Sequence, residues 1–121
     1  MNTELLLQLR EEIKADEGYK NEIYLCSENK ATCGVGHMIL ETDPEYGLDV
    51  GTHIDDERVN ELFDQDVKVT LNECTILYDN FYTLPGEVQK IIANMMFNLG
   101  RPRLSKFKLM REAILNEDWN E

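Results

Sequence analysis

Apolar residues Leu5, Leu6, Leu9 and Ile13 fall on one side of a helix written over residues 3 to 15, with Thr3 as a plausible N-cap and Gly18 as its stop. Glu17 then stands at the helix end. From Glu22 the texture changes to short β-like runs, E-I-Y-L and A-T-C-G-V-G-H, separated by the polar residues Ser27, Glu28, Asn29 and Lys30. Such a pair of runs predicts a hairpin. Gly34 and Gly36 on either side of Val35 predict a tight bend or a close backbone approach within a small sheet. Pro44, Gly47 and Gly51 mark residues 41 to 54 as an exposed loop.

A long helix follows. Asp55 is its expected N-cap, Asp56 and Glu57 suit its positive end, and Val59, Leu62, Phe63, Val67, Leu71 and Cys74 make its apolar seam. At about 22 residues it would be ~33 Å long, enough to connect two lobes. Pro85 suits the first position of another helix, whose buried face would be Val88, Ile91, Ile92, Met95, Met96 and Leu99, with Gly100 as the stop. A last helix is expected over 104 to 115. The order of helix, small antiparallel sheet, then helices defines an α+β domain. A β lobe and a helical lobe joined by a long helix would leave a groove for a polymer.

A chain of 121 residues with 42% hydrophobic content supports one compact domain. No apolar run reaches the ~18 residues of a membrane span, and the start lacks the basic-then-apolar layout of a secretory signal, so a soluble protein without a membrane span is expected. A net charge of −12 argues against nucleic acid as a partner, because phosphate binding needs clustered Lys and Arg. The basic stretch at 101 to 111 is either a solvated helix face or a contact to an anionic polymer. Three cysteines, Cys26, Cys33 and Cys74, cannot all pair, and free thiols are expected. The C-x6-C-x3-H spacing of Cys26, Cys33 and His37 fits no common zinc pattern, so neither a metal nor another cofactor is expected.

Cleaving a glycosidic bond takes a proton donor for the leaving oxygen and a group on the opposite face that directs water or attacks the sugar. Glu17, Cys26 and Thr32, spaced E-x8-C-x5-T, offer both, with Glu17 at a helix end and the other two on paired strands. Asp66 lies on the apolar seam of the long helix, where an unpaired carboxylate would be costly, and so calls for a partner.

With the G-V-G-H run at Gly34 to His37, this spacing resembles the phage lysozymes of glycoside hydrolase family 24, the T-even phage lysozyme and lambdoid endolysin group. The segments E-L-F-D-Q-D-V (61 to 67), N-M-M-F-N-L-G (94 to 100) and R-P-R-L-S-K-F (101 to 107) extend the likeness over roughly residues 12 to 119. The resemblance implies a muramidase acting on bacterial peptidoglycan between N-acetylmuramic acid and N-acetylglucosamine. It implies Glu17 as the acid, Cys26 in the place of an Asp or Cys, Thr32 orienting water, Phe97 and Asn98 at the substrate, and His37 paired with Asp66. Cys26 is left as base, nucleophile or spacer. Without the resemblance, Cys26 reads as a core thiol, Thr32 as a strand former and Asn98 as polar surface.

The implied organisation is a single lysozyme-like domain with a β lobe at about 18–54, an interlobe helix at about 55–78 and a helical lobe from 1–15 and 85–119. It would be a monomer, held in the host cytoplasm until release to the wall or carried on the virion. Related lysozymes continue past the position of Trp119 with further helices and an Arg that pairs with the acid, features not found in this sequence. A noncatalytic wall-binding or virion structural module of the same fold is the alternative reading.

Overall fold

The structure, a computed structural model, describes residues 1–116, with the side chains at 101, 102 and 108–111 outside that description. The role expected of the basic stretch at 101 to 111, and the part of the helical lobe beyond 116, therefore fall largely outside the described residues. Helix α1 (Thr3–Glu17) leads into strands β1 (Lys20–Leu25), β2 (Ala31–Gly34) and β3 (His37–Met38). Helix α2 (Asp56–Leu77), a 3-10 turn (Phe81–Thr83), α3 (Gly86–Leu104) and α4 (Lys108–Leu115) complete the α+β order. No helix among the described residues is long and apolar enough to cross a membrane.

The chain divides into two compact units, one of Met1–Glu12 with Val67–Glu121 and one of Ile13–Asp66. In the second unit the three strands form an antiparallel sheet in the order β1-β2-β3. Lys20 pairs with Gly34 and Tyr24 with Thr32, so Asn21, Glu22 and Ile23 bulge opposite Cys33. The bulge turns the outer edge of β1 toward 51–54, where Ile23 N–H donates to the Thr52 carbonyl (3.0 Å) and Ile54 N–H to that of Asn21 (2.7 Å). Ile13, Ile23, Cys33, Val35, Ile54, Val59, Leu62 and Phe63 are the buried apolar residues here. A side chain on Gly34 would come within 3.1 Å of Val59 Cγ1, so glycine lets β2 approach α2.

The first unit is helical. Leu9, Tyr78, Phe81, Ile92, Ala93, Met96, Leu104 and Ile114 are among its buried apolar residues. Lys90, itself buried, donates to Gln8 (3.0 Å) and Glu12 (3.2 Å), joining α3 to α1.

Several element ends differ from expectation. Asn2, not Thr3, caps α1, its Oδ1 accepting from Leu5 N–H at 2.8 Å, and the helix continues to Glu17. The A-T-C-G-V-G-H run is two strands, because Gly34 and Gly36 both take positive φ (62° and 63°) and turn the chain between them. Asp55 does cap α2, accepting from Arg58 N–H at 3.0 Å. Pro85 precedes α3, its carbonyl accepting from Gln89 N–H. Ile91 is 58% exposed, while Gln89 and Lys90 take the buried positions, a rotation of the apolar face made possible by polar groups that find partners. Gly100 kinks α3 (φ 77°, ψ 162°), and Leu104 belongs to its last turn, so α4 starts at Lys108 and not at 104.

Candidate active site

Glu17 is the final residue of α1, and Gly18, at φ 82°, closes the helix by donating its N–H to the Lys14 carbonyl (2.8 Å). The left-handed turn frees the Glu17 side chain to lie against Gly36. A Cβ at Gly36 would stand 2.7 Å from Glu17 Oε1 and 3.2 Å from its Cβ. The second glycine of G-V-G thus makes room for the carboxyl group, and its positive φ excludes a side chain independently. Burial raises the Glu17 carboxyl above its ordinary range, and the neighbouring Asp16 charge adds to the shift.

Cys26 and Thr32 sit across the first hairpin. Because Tyr24 pairs with Thr32 and side chains alternate along a strand, Tyr24 and Thr32 share one face and Cys26, two residues beyond Tyr24, continues it. The connecting turn closes with Cys26 N–H donating to the Lys30 carbonyl (3.0 Å) and Asn29 N–H to the Cys26 carbonyl (2.9 Å), Asn29 taking φ 60°. Backbone N–H groups of Lys30 and Glu28 point at the Cys26 sulfur and lower the thiol below its ordinary value. Thr32 also contributes to that shift. Its hydroxyl carries a single proton, however, already donated to the Lys30 carbonyl at 2.8 Å, so the backbone groups are the main support of the thiolate. Thr32 is only 2% exposed, which leaves it little surface for the water it was expected to hold.

The other thiols behave differently. Burial pushes Cys33 up to about 11 and Cys74 up to about 12, so both stay neutral. Partly exposed Cys26 is the one cysteine with a lowered thiol.

His37 Nδ1 lies 2.7 Å from Asp66 Oδ2, and His37 Nε2 lies 2.8 Å from Asp43 Oδ2. Two acceptors on two ring nitrogens call for the doubly protonated ring. Burial alone would lower the His37 pKa, yet the hydrogen bonds and charges of Asp66 and Asp43 outweigh it and the net shift is upward. Asp43 also accepts Leu40 N–H (2.8 Å), tying the start of the loop to β3. Sequence reasoning missed Asp43, although an Asp-Pro pair at the head of a turn is a signal for a side chain that bonds nearby backbone. It also missed Tyr24, whose phenol is pushed up by burial and by the Glu17 and Cys26 charges, and whose ring lies 4.7 Å from Lys20 Nζ. Strand alternation back from Cys26 points to that residue.

Phe97 and Asn98 lie on α3 in the other unit, Phe97 half-buried and Asn98 exposed with its amide donating to the Asn94 carbonyl (3.0 Å).

Residues 14–121 of the chain match phage lysozyme, and the chain belongs to the phage lysozyme family. It is 27% identical to the probable T4-type lysozyme 2 of Dictyostelium discoideum, over 97% of this chain and 80% of that protein. The probable T4-type lysozyme 1 of the same organism is 25% identical over the same shares. The pre-baseplate central spike protein Gp5 of Enterobacteria phage T4 is 23% identical over 95% of this chain, which spans 23% of that longer protein.

Proposed function

We propose that the chain is a muramidase that hydrolyses the β-1,4 bond between N-acetylmuramic acid and N-acetylglucosamine in bacterial peptidoglycan. The observation that carries this reading is the raised carboxyl of Glu17, seated against Gly36 in the unit that also holds Cys26 and Thr32. A carboxyl whose protonated form is favoured by burial donates to the leaving glycosidic oxygen. Cys26, its thiolate favoured by the turn N–H groups, takes a proton from the attacking water on the opposite face, in the role a carboxylate has in other inverting glycosidases. Thr32 is a positioning residue for that sulfur. Phe97 and Asn98 contact the saccharide.

The setting is phage lysis or entry, with the chain in the host cytoplasm before it reaches the wall or carried on the virion. The likeness to a baseplate spike protein supports the virion setting, and it also favours a second reading as a noncatalytic structural module. Glu17 favours the enzyme, since a binding module has no need of a raised acid.

Turbidity loss of permeabilised Gram-negative cells, with analysis of the released muropeptides, tests the proposal. New reducing muramic acid ends are expected, with Cys26→Ser about 100-fold slower and Cys26→Asp largely restored. Uncut glycan with wild-type protein overturns the muramidase reading, and an active Cys26→Ser removes Cys26 from the chemistry.

A further inference from the structure

The loop that follows β3 is tied down at two points, and the two ties differ in chemistry. Asp43 Oδ2 accepts from His37 Nε2 (2.8 Å) and from Leu40 N–H (2.8 Å). Two residues on, buried Glu45 accepts from Arg58 through both of its oxygens, from Nε at 2.7 Å and from Nη2 at 3.0 Å. A guanidinium keeps its proton at any pH a folded protein meets, so the Glu45 tie is permanent. An imidazolium does not, so the Asp43 tie is conditional.

The buried His37 ring is gripped from two sides, with Asp66 of α2 at Nδ1 (2.7 Å) and Asp43 of the loop at Nε2. A carboxylate only accepts, and a neutral ring has a single N–H, so a ring that loses a proton keeps one partner and turns a lone pair on the other. Asp66 is fixed, because the 22-residue helix that carries it is packed through buried Leu62, Phe63 and Val67. Asp43 is held by short-range turn bonds, its N–H donating to the Leu40 carbonyl (2.9 Å). The loop therefore yields first. The other groups near the ring do not replace the lost proton: Cys33, paired with His37 across β2 and β3, is pushed up to about 11 and stays a neutral thiol, and Arg58 is committed to Glu45 and Glu61.

We infer that the loop after β3 is a pH-sensitive flap: the doubly protonated His37 latches residues 39 to 44 through Asp43, and loss of the ring proton frees that half to swing about the Glu45–Arg58 pair. Hydrogen bonds and charge from both carboxylates raise His37 above its ordinary value, so the flap is shut at neutral pH and opens on the alkaline side. Leu40 moves with it. That residue shares an open groove of about 620 Å³ with Met38, Tyr46 and Leu48, so the latch sets the groove's shape. The inference stands apart from the muramidase reading, since it concerns the loop and not the reaction.

The test follows the full chain, labelled with 13C, by carbon-detected magnetic resonance from about pH 6 to about pH 10. The Leu40 methyl signals are expected to move with the same midpoint as the His37 ring carbons, while Arg58 Cζ at the pivot and the buried Val59 methyls on α2 keep their positions. In Asp43→Asn the side chain offers the ring a donor as well as an acceptor, so the loop stays latched in both ring states and the Leu40 movement should be about tenfold smaller. Cys26, whose lowered thiol titrates in the same range, is untouched in that variant, so the comparison isolates the latch. Asp43→Ala, which has no latch, should hold the Leu40 signals at their alkaline position even at neutral pH. Leu40 signals that ignore the His37 midpoint, that follow it as strongly in Asp43→Asn, or that keep the parental neutral position in Asp43→Ala overturn the inference. Movement of Arg58 or Val59 together with Leu40 overturns it as well, because the event is then release of the whole loop or unfolding of the unit.

Discussion

The two units are built on different physics. In Ile13–Asp66 the backbone turns on glycines at positive φ, and two clusters of charge are paired, His37 with Asp43 and Asp66, and Arg58 with Glu45 (2.7 Å) and Glu61 (2.6 Å). In the helical unit, the buried Gln89 amide donates to the Leu84 carbonyl (2.8 Å), Lys90 with Glu12 (3.2 Å) is a buried charge that meets its opposite, and large apolar side chains fill the interior. Chemistry is expected where backbone and charge are fixed, because an acid and a thiol need their surroundings held to within a fraction of an ångström. A helical core tolerates variation that such a site does not.

The sharpest way to break that contrast is at Glu17. Replacing it with Gln keeps shape and removes the proton, so lysis should fall about 1,000-fold with an unchanged melting temperature. Near-parental lysis would show that the charge-built unit does not hold the acid.

On the other side of the comparison, Ile92→Ala removes a side chain that is 1% exposed and should cost about 3–4 kcal/mol of stability. Lysis per folded molecule, assayed well below the melting transition, should stay within a factor of two or so of the parent. A site-like loss of rate without a loss of stability would erase the division of labour.

His37→Asn removes the shared cation and should cost about 3 kcal/mol, leaving two carboxylates facing each other. Its pH signature is set by the directions of the shifts. The raised His37 contributes stability in full below its unfolded value and loses it as pH climbs through the folded one. For Asp43, burial is outweighed by the Leu40 N–H and by His37, and the net lowering gives stability present above its unfolded value and lost as pH falls through the folded one. Parental stability should thus peak between these limits, and the variant's urea stability should lose both flanks of the curve. An unaltered pH profile would refute the clamp.

A smaller and more specific effect is expected at Gly36. Gly36→Ala must displace Glu17 and should slow lysis about 100-fold, whereas Gly47→Ala, with no atom within 4 Å of the added methyl, should only cost about 1 kcal/mol of backbone strain. Equal rates in the two variants would mean that the fit of Gly36 to Glu17 is incidental.

What the sequence disclosed follows the same divide. Helix existence, the Asp55 cap and the break at Gly100 were legible, because periodicity, capping residues and glycine act locally. The buried face of α3 was misplaced at Ile91 because Lys90 is buried through partners on α1, far away in the chain. The reading of G-V-G as a close approach was correct in kind, but nothing local tells that Gly36 meets Glu17 and Gly34 meets Val59. Glu17, Cys26 and Thr32 were named by resemblance and spacing. The turn N–H groups at Cys26 and the second carboxylate on His37 come from tertiary geometry, which spacing does not encode.

A sheet this small would ordinarily be a hazard, since an unpaired strand edge invites another chain to add on. The bulge that turns β1 toward 51–54 lets backbone groups of Thr52, Gly51 and Ile54 occupy that edge, with Gly51 N–H donating to the Ile23 carbonyl at 2.7 Å. At the opposite side β3 is only 2 residues long, too short to template a partner. Loop 51–54 thus acts as a guard against self-association, and a change such as Gly51→Pro, which deletes one of its donors, would be felt as lost solubility before it is felt as lost lysis.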